Sequence, residues 1–202
     1  VLFRSQTLGV WAQFRDEDLA FRPEPRARTP REHMVHQCLS EEAWMSKTLG
    51  LVVDAPPLPT VETRLAFMEH YAGLSDRRLA LMRTRDADWF REEVSFFGVP
   101  RSRAWVLVRR FTHSAHHRGQ LTACLRLLGR DLYSTYGPSA DTGGLPANGA
   151  AVIYPSSSVV ALLAAARAGR LADGDDRVRD VAGGDAIACQ MLPVAEAADA
   201  FL

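Results

Sequence analysis

Three histidines fall within five residues in the run Phe111-Thr112-His113-Ser114-Ala115-His116-His117-Arg118-Gly119-Gln120-Leu121. On a helix, residues four apart stack one turn above the other, so His113 and His117 share a face. Two imidazoles in that relation offer a transition metal two ligands. Five of the six histidines lie in this run and in His33-Met34-Val35-His36, so a second helix can supply a third ligand. The run is not a zincin site. HExxH needs a general-base Glu directly after the first His, and here that position is Ser114.

A helical wheel separates the candidates. At about 100° per residue, Val106, His113, His117, Leu121, Cys124 and Leu128 occupy one sector about 80° wide. Apart from the two imidazoles that sector is apolar and faces the core. His116 is turned about 100° from His117, toward Trp105, Arg109 and Gln120, and reads as a neighbour. In the earlier segment His36 lies on the side of Leu39 and Ala43, while His33, about 60° away, is the weaker candidate. An unpaired polar group in a core costs about 1–3 kcal/mol, so inward imidazoles need a shared partner. His36, His113 and His117 would hold a divalent ion and leave a position open for water or substrate, as catalysis requires. His70 reads as a surface residue, Cys124 as a core residue, and Arg109, Arg110 and Arg118 as members of ion pairs between helices or subunits.

The elements that must carry these residues follow from punctuation and periodicity. Residues 6–20 read as the remainder of a first helix, broken by Arg22-Pro23-Glu24-Pro25. Thr29-Pro30-Arg31-Glu32 starts a second helix, with Thr29 as N-cap, Pro30 at the first turn and Glu32 closing a capping box. It runs to Leu49 and stops at Gly50. After the Ala55-Pro56-Pro57-Leu58-Pro59 connector, Thr60 is placed to cap a third helix through Val61, Leu65, Met68, Leu74, Leu79 and Met82. Residues 93–100 favour an extended or turn segment. A fourth helix spans Ser102 to Leu128 and ends at Gly129. Four helices with proline-containing connectors suggest an antiparallel bundle over residues 1–136. Residues 137–202 form a loop-rich extension with a short Ala-rich helix within 158–171. From Asp173 the tail is acidic, and a docked extension, a disordered tail and a frame error all remain open readings.

The bulk numbers exclude several classes. The 24 basic and 24 acidic residues balance, so no global field favours nucleic acid or an anionic membrane. Only Lys47 is lysine, a skew toward Arg that fits a GC-rich genome. Cys38, Cys124 and Cys189 are far apart and form no CxxC pair, so neither a zinc ribbon nor a disulfide framework is indicated. No GxGxxG or P-loop is present. No membrane-length apolar run or signal peptide is visible, which makes the cytoplasm the default location. The chain starts at Val1, almost inside a helical pattern, and Val-Leu-Phe-Arg-Ser is also what the tail of a sequencing adapter encodes. The reading is a partial gene with a truncated first helix.

Arg31-Glu32-His33-Met34-Val35-His36-Gln37-Cys38, followed downstream by His113-Ser114-Ala115-His116-His117-Arg118-Gly119-Gln120-Leu121 and Leu125-Arg126-Leu127-Leu128-Gly129, resembles the DinB-like (YfiT-like) superfamily. The resemblance spans residues 6 to 154, including Asp18-Leu19-Ala20-Phe21-Arg22-Pro23 and Tyr136-Gly137-Pro138. It implies an all-α four-helix bundle with up-down-down-up order, often a homodimer, with a divalent metal on His36, His113 and His117. Zinc, nickel, iron and manganese all accept imidazole. Characterised relatives include thiol-dependent transferases and isomerases using bacillithiol, mycothiol or similar low-molecular-weight thiols. The resulting expectation is a thiol S-transferase or isomerase acting on a small-molecule electrophile. A non-enzymatic, stress-associated metal-binding bundle and a metal-dependent hydrolase stand as alternatives, the latter weakened by the lack of a committed general base.

Overall fold

Thr29 opens the helix that carries the first candidate ligands. In the computed structural model, which describes residues 2–170 and 178–180, its side chain accepts from Glu32 N and the Glu32 carboxylate accepts from Thr29 N, a complete capping box. Helix α2 (Pro30–Glu41) then continues without a break into a π-helical segment, Glu42–Thr48. Gly50, at φ +73°, takes the left-handed turn that ends it.

The other helices are α1 (Leu2–Trp11), α3 (Arg64–Arg83), the short α4 (Ala87–Arg91), α5 (Arg103–Leu127) and α6 (Val159–Arg167). Ser102 caps α5 by accepting from Trp105 N, and Gly129 at φ +68° follows its end, as the sequence anticipates. The Ala-rich α6 also falls where expected. The reading of the acidic tail, like that of Val1, lies outside the described residues, except that the backbone of β4 (Val178–Asp180) pairs antiparallel with β3 (Val152–Tyr154).

Two elements differ from expectation, and a third is borne out in more detail. The first helix ends at Trp11 rather than near residue 20, because the Arg64 guanidinium takes the carbonyls of Ala12 and Phe14 at 2.9 and 3.0 Å. A 3-10 turn, Glu17–Ala20, follows, its Asp18 carboxylate gripped by Arg130 at 2.7 and 3.0 Å. The third helix begins three residues later than Thr60 implies. Thr63 caps it instead, and Asp16 Oδ1 accepts from Arg64 N at 2.6 Å, while Arg31 pairs with Glu62 just before it. The segment after α4 is extended with a turn, as expected, and its two halves pair as a hairpin, β1 (Glu93–Phe96) against β2 (Val99–Ser102), turning on Phe97-Gly98. Both turn residues have positive φ, as a two-residue hairpin of this hand requires.

Packing gathers these elements on α5. Helix α1 lies against α5 and α3, α2 against α5, and α6 against α3 and α1. The main core holds Leu8, Trp11, Phe14, Met34, Phe67 and Leu121, and Leu162 of α6 belongs to the same cluster. A second cluster around Leu51, Val106 and Leu107 sits under the hairpin. The protein is thus predominantly helical with a small antiparallel hairpin.

Thr29→Ala removes the hydroxyl of the capping box and is expected to destabilise the fold by about 1 kcal/mol. A denaturation midpoint unchanged from the parent would show that α2 does not depend on that cap.

Candidate metal centre

Helices α2 and α5 bring four imidazoles together. His36 Nε2 lies 3.1 Å from His113 Nε2, and His113 Nε2 lies 3.1 Å from His117 Nε2. The ligand atoms of His36, His113 and His117 all fall within 4.8 Å of one another. These are the three residues that the wheel and the resemblance select. His117 is buried, and His36 and His113 are half-buried.

The spacing suits a cation. Zinc–imidazole bonds of about 2.0–2.1 Å at a tetrahedral angle put neighbouring nitrogens about 3.3 Å apart. Protons alone serve the cluster poorly, because each ring nitrogen carries either one N–H or one lone pair in the ring plane. His113 Nε2 nevertheless stands between two other nitrogens. A divalent ion would take three lone pairs at once, so the residues present fit such a group.

Second contacts hold the rings. His117 Nδ1 is 3.0 Å from Gln120 Oε1 and 3.1 Å from His33 Nδ1. With His117 Nε2 turned to the cluster, its Nδ1–H donates to Gln120, which fixes the tautomer. His33, the weaker candidate by sequence, is therefore buried behind His117 rather than beside His36 and His113. His113 Nδ1 has no hydrogen-bond partner among the described residues. Its ring is placed instead by Trp44 of the π-helical segment, whose centroid is 5.0 Å away. Two signals for these supports were present in the sequence: Gln120 follows His117 by three residues, and His36, Ser40 and Trp44 are spaced by four.

Burial and positive neighbours keep the imidazoles neutral. Burial, then Arg110, His36 and Arg109, bring His113 down to about 4. Burial, then His113, His36 and His33, bring His117 down to about 3, against a small opposing effect of Gln120. Burial lowers His33 to about 4, with Arg28 the next cause, and burial followed by Arg28 and Arg110 lowers His36. Neutral imidazole is the form that coordinates a metal.

Directly below the rings lies a buried ion network. Arg110, one turn before Ser114, reaches Glu41 of α2, the Ser114 hydroxyl and Tyr71 Oη. Arg78 of α3 pairs with Glu41 and Glu42. Arg110 is thus an interhelix ion pair, as anticipated. Arg109 instead lies over the Trp44 ring at 5.6 Å, and Arg118 donates to Thr7 Oγ1 and covers Tyr136. Cys124 is in the main core. His116 is exposed and outside the three-ligand group. His70 is half-buried rather than at the surface, with the Pro57 and Pro56 carbonyls against its ring.

Comparison with known proteins bears on this arrangement. Residues 3–144, which contain all three ligand candidates, match the family model described as the DinB family. The crystal structure of a DinB-like protein from Bacillus cereus ATCC 10987 is similar at a TM-score of 0.57 and 19% identity, covering 65% of this chain and 89% of that one. At that identity the likeness speaks for the fold alone, which is DinB-like. No curated protein matches the chain. Among the described residues, no helix is long and apolar enough to cross a membrane.

The lowered imidazole values set the sign of a pH effect. On acidification the unfolded chain takes up protons near its ordinary imidazole value of about 6.5, before His113 and His117 do so in the fold. Their contribution is full above about pH 6.5 and is lost progressively toward about pH 4 for His113 and about pH 3 for His117. The metal-free protein should therefore melt at falling temperatures as pH drops from about 7 to about 4, and His117→Gln should flatten that slope. A parent curve flat across this window would contradict the burial of neutral imidazoles.

Proposed function

The chain belongs to the DinB family, and from that premise we propose that it binds a divalent transition metal on His36, His113 and His117 and transfers or isomerises small electrophiles with a low-molecular-weight thiol. One observation carries the reading: three imidazole nitrogens from two helices converge within 4.8 Å, two of the spacings being 3.1 Å, half-open to solvent. Three ligands leave room for an exogenous donor, where a structural site of four would be closed. Family membership also supports taking α1, α2, α3 and α5 as the helices of an up-down-down-up bundle.

When bound, the metal supplies Lewis acidity, which favours the ionised form of a thiol over its ordinary state near about pH 8.5. The chain's own contribution is positional. Gln120 and His33 hold His117, Trp44 holds His113, and the Arg110–Glu41 network keeps the helices in register beneath them. Trp44, packed against His113, is itself backed by the Phe96 ring, which lies edge-on to Trp105. In the transfer, a sulfur–carbon bond forms while the bond to the leaving group breaks and its electron pair departs. The thiol proton passes to solvent, since among the described residues the acids beside the cluster, Glu32 and Glu41, are held by arginines.

His113→Ala and His117→Ala are each expected to lose bound metal and thiol-transfer turnover together, across a panel of thiols and electrophiles. Turnover retained at the parent rate by either variant in metal-free form would end this reading.

A further inference from the structure

We propose that Arg109, stacked on Trp44 at the mouth of the imidazole cluster, recognises the carboxylate of a small-molecule ligand. The inference rests on the proposed small-molecule role of that cluster and adds the charge class of what enters it. Arg109 lies one helical turn before His113 and is exposed. Its guanidinium sits 5.6 Å from the Trp44 ring centroid, and Trp44 sits 5.0 Å from that of His113. Stacking on an indole orients the guanidinium plane while leaving its edge N–H groups free to donate.

What sets Arg109 apart is that it stands beside the ligand cluster, over Trp44, without a paired acid among the described residues. On the same helix Arg103 pairs with Glu92, Arg110 with Glu41 and Arg126 with Asp141. Arg109 has no carboxylate within salt-bridge distance among the described residues. Arg28, just before the cap of α2, is likewise exposed and unpaired among the described residues, and its charge opposes protonation of His33 and His36. The acids nearest the cluster are already engaged: Glu32 by Arg22 and Glu41 by Arg110 and Arg78. Neutral imidazoles with a rim of unpaired guanidiniums make a positive mouth, and a divalent ion adds to it. A carboxylate offers the planar, two-oxygen partner that a guanidinium edge matches.

The carboxylate could arrive on the thiol or on the electrophile, and matched probes separate these sources. Zinc-loaded protein is titrated calorimetrically with 3-mercaptopropionate against 2-mercaptoethanol, and with benzoate against benzyl alcohol. The benzoate pair is repeated without zinc. The acidic member of at least one pair should bind about fivefold more tightly, as expected for an exposed charge pair. Arg109→Gln should abolish the preference and Arg109→Lys should keep part of it, with zinc affinity unchanged in both. The pair showing the larger preference identifies the carrier. Equal binding of acidic and neutral members by the parent, or a preference that survives in Arg109→Gln, would overturn the inference. Failure of the parent to bind zinc would instead sink the metal reading, while the zinc-free benzoate arm still decides the role of Arg109.

Discussion

The polar seam between α2 and α5 is the constraint on which the rest of the molecule depends. Apolar stripes alone allow two helices to slide, because one leucine-lined turn packs much like the next. A buried ion pair does not. Glu41 and Arg110 are nearly inaccessible to solvent, and breaking such a pair by removing one partner costs about 3–5 kcal/mol. A slip of one turn, about 5.4 Å, would separate Glu41 from Arg110 and carry His36 away from His113 and His117. The network therefore acts as a register key for the imidazoles above it. Tyr71 and Arg78 extend that key to α3, so that a third helix shares the same fixed point.

The same burial that makes the seam costly also sets its chemistry. Four imidazoles in contact, next to buried and rim arginines, cannot all accept protons near neutral pH, and they are held as neutral rings. Neutral rings with convergent lone pairs form a ligand set waiting for a cation rather than a set of acids. The supports differ in kind from ring to ring. His117 is tied by hydrogen bonds, His113 is wedged by an indole, and His36 is the more open member, with Ser40 Oγ at 3.5 Å from its Nε2.

Much of the site was legible in the sequence because its determinants are local. The i, i+4 spacing of His113 and His117, the Thr29 capping box and the glycines after α2 and α5 act within one or two turns. Such signals survive without knowledge of the fold. What escaped was set by partners far along the chain. The end of α1 is decided by Arg64, some fifty residues away, and the start of α3 by Asp16. His33 looked peripheral on the wheel of its own helix. Its place behind His117 depends on how α5 crosses α2, which no single-helix projection contains. The hairpin of β1 and β2 turns on Phe97-Gly98, with a bulky residue at a positive φ where Asn or Gly is usual, so the turn carried a weak signature.

X-ray absorption on the zinc-loaded protein, before and after addition of a thiol, tests the central claim most directly. Three imidazole nitrogens at about 2.0–2.1 Å, joined on thiol addition by one sulfur at about 2.3 Å, is the expected result. A first shell that lacks the three imidazoles, or one already closed by four protein donors and unchanged by thiol, would contradict an open three-histidine centre.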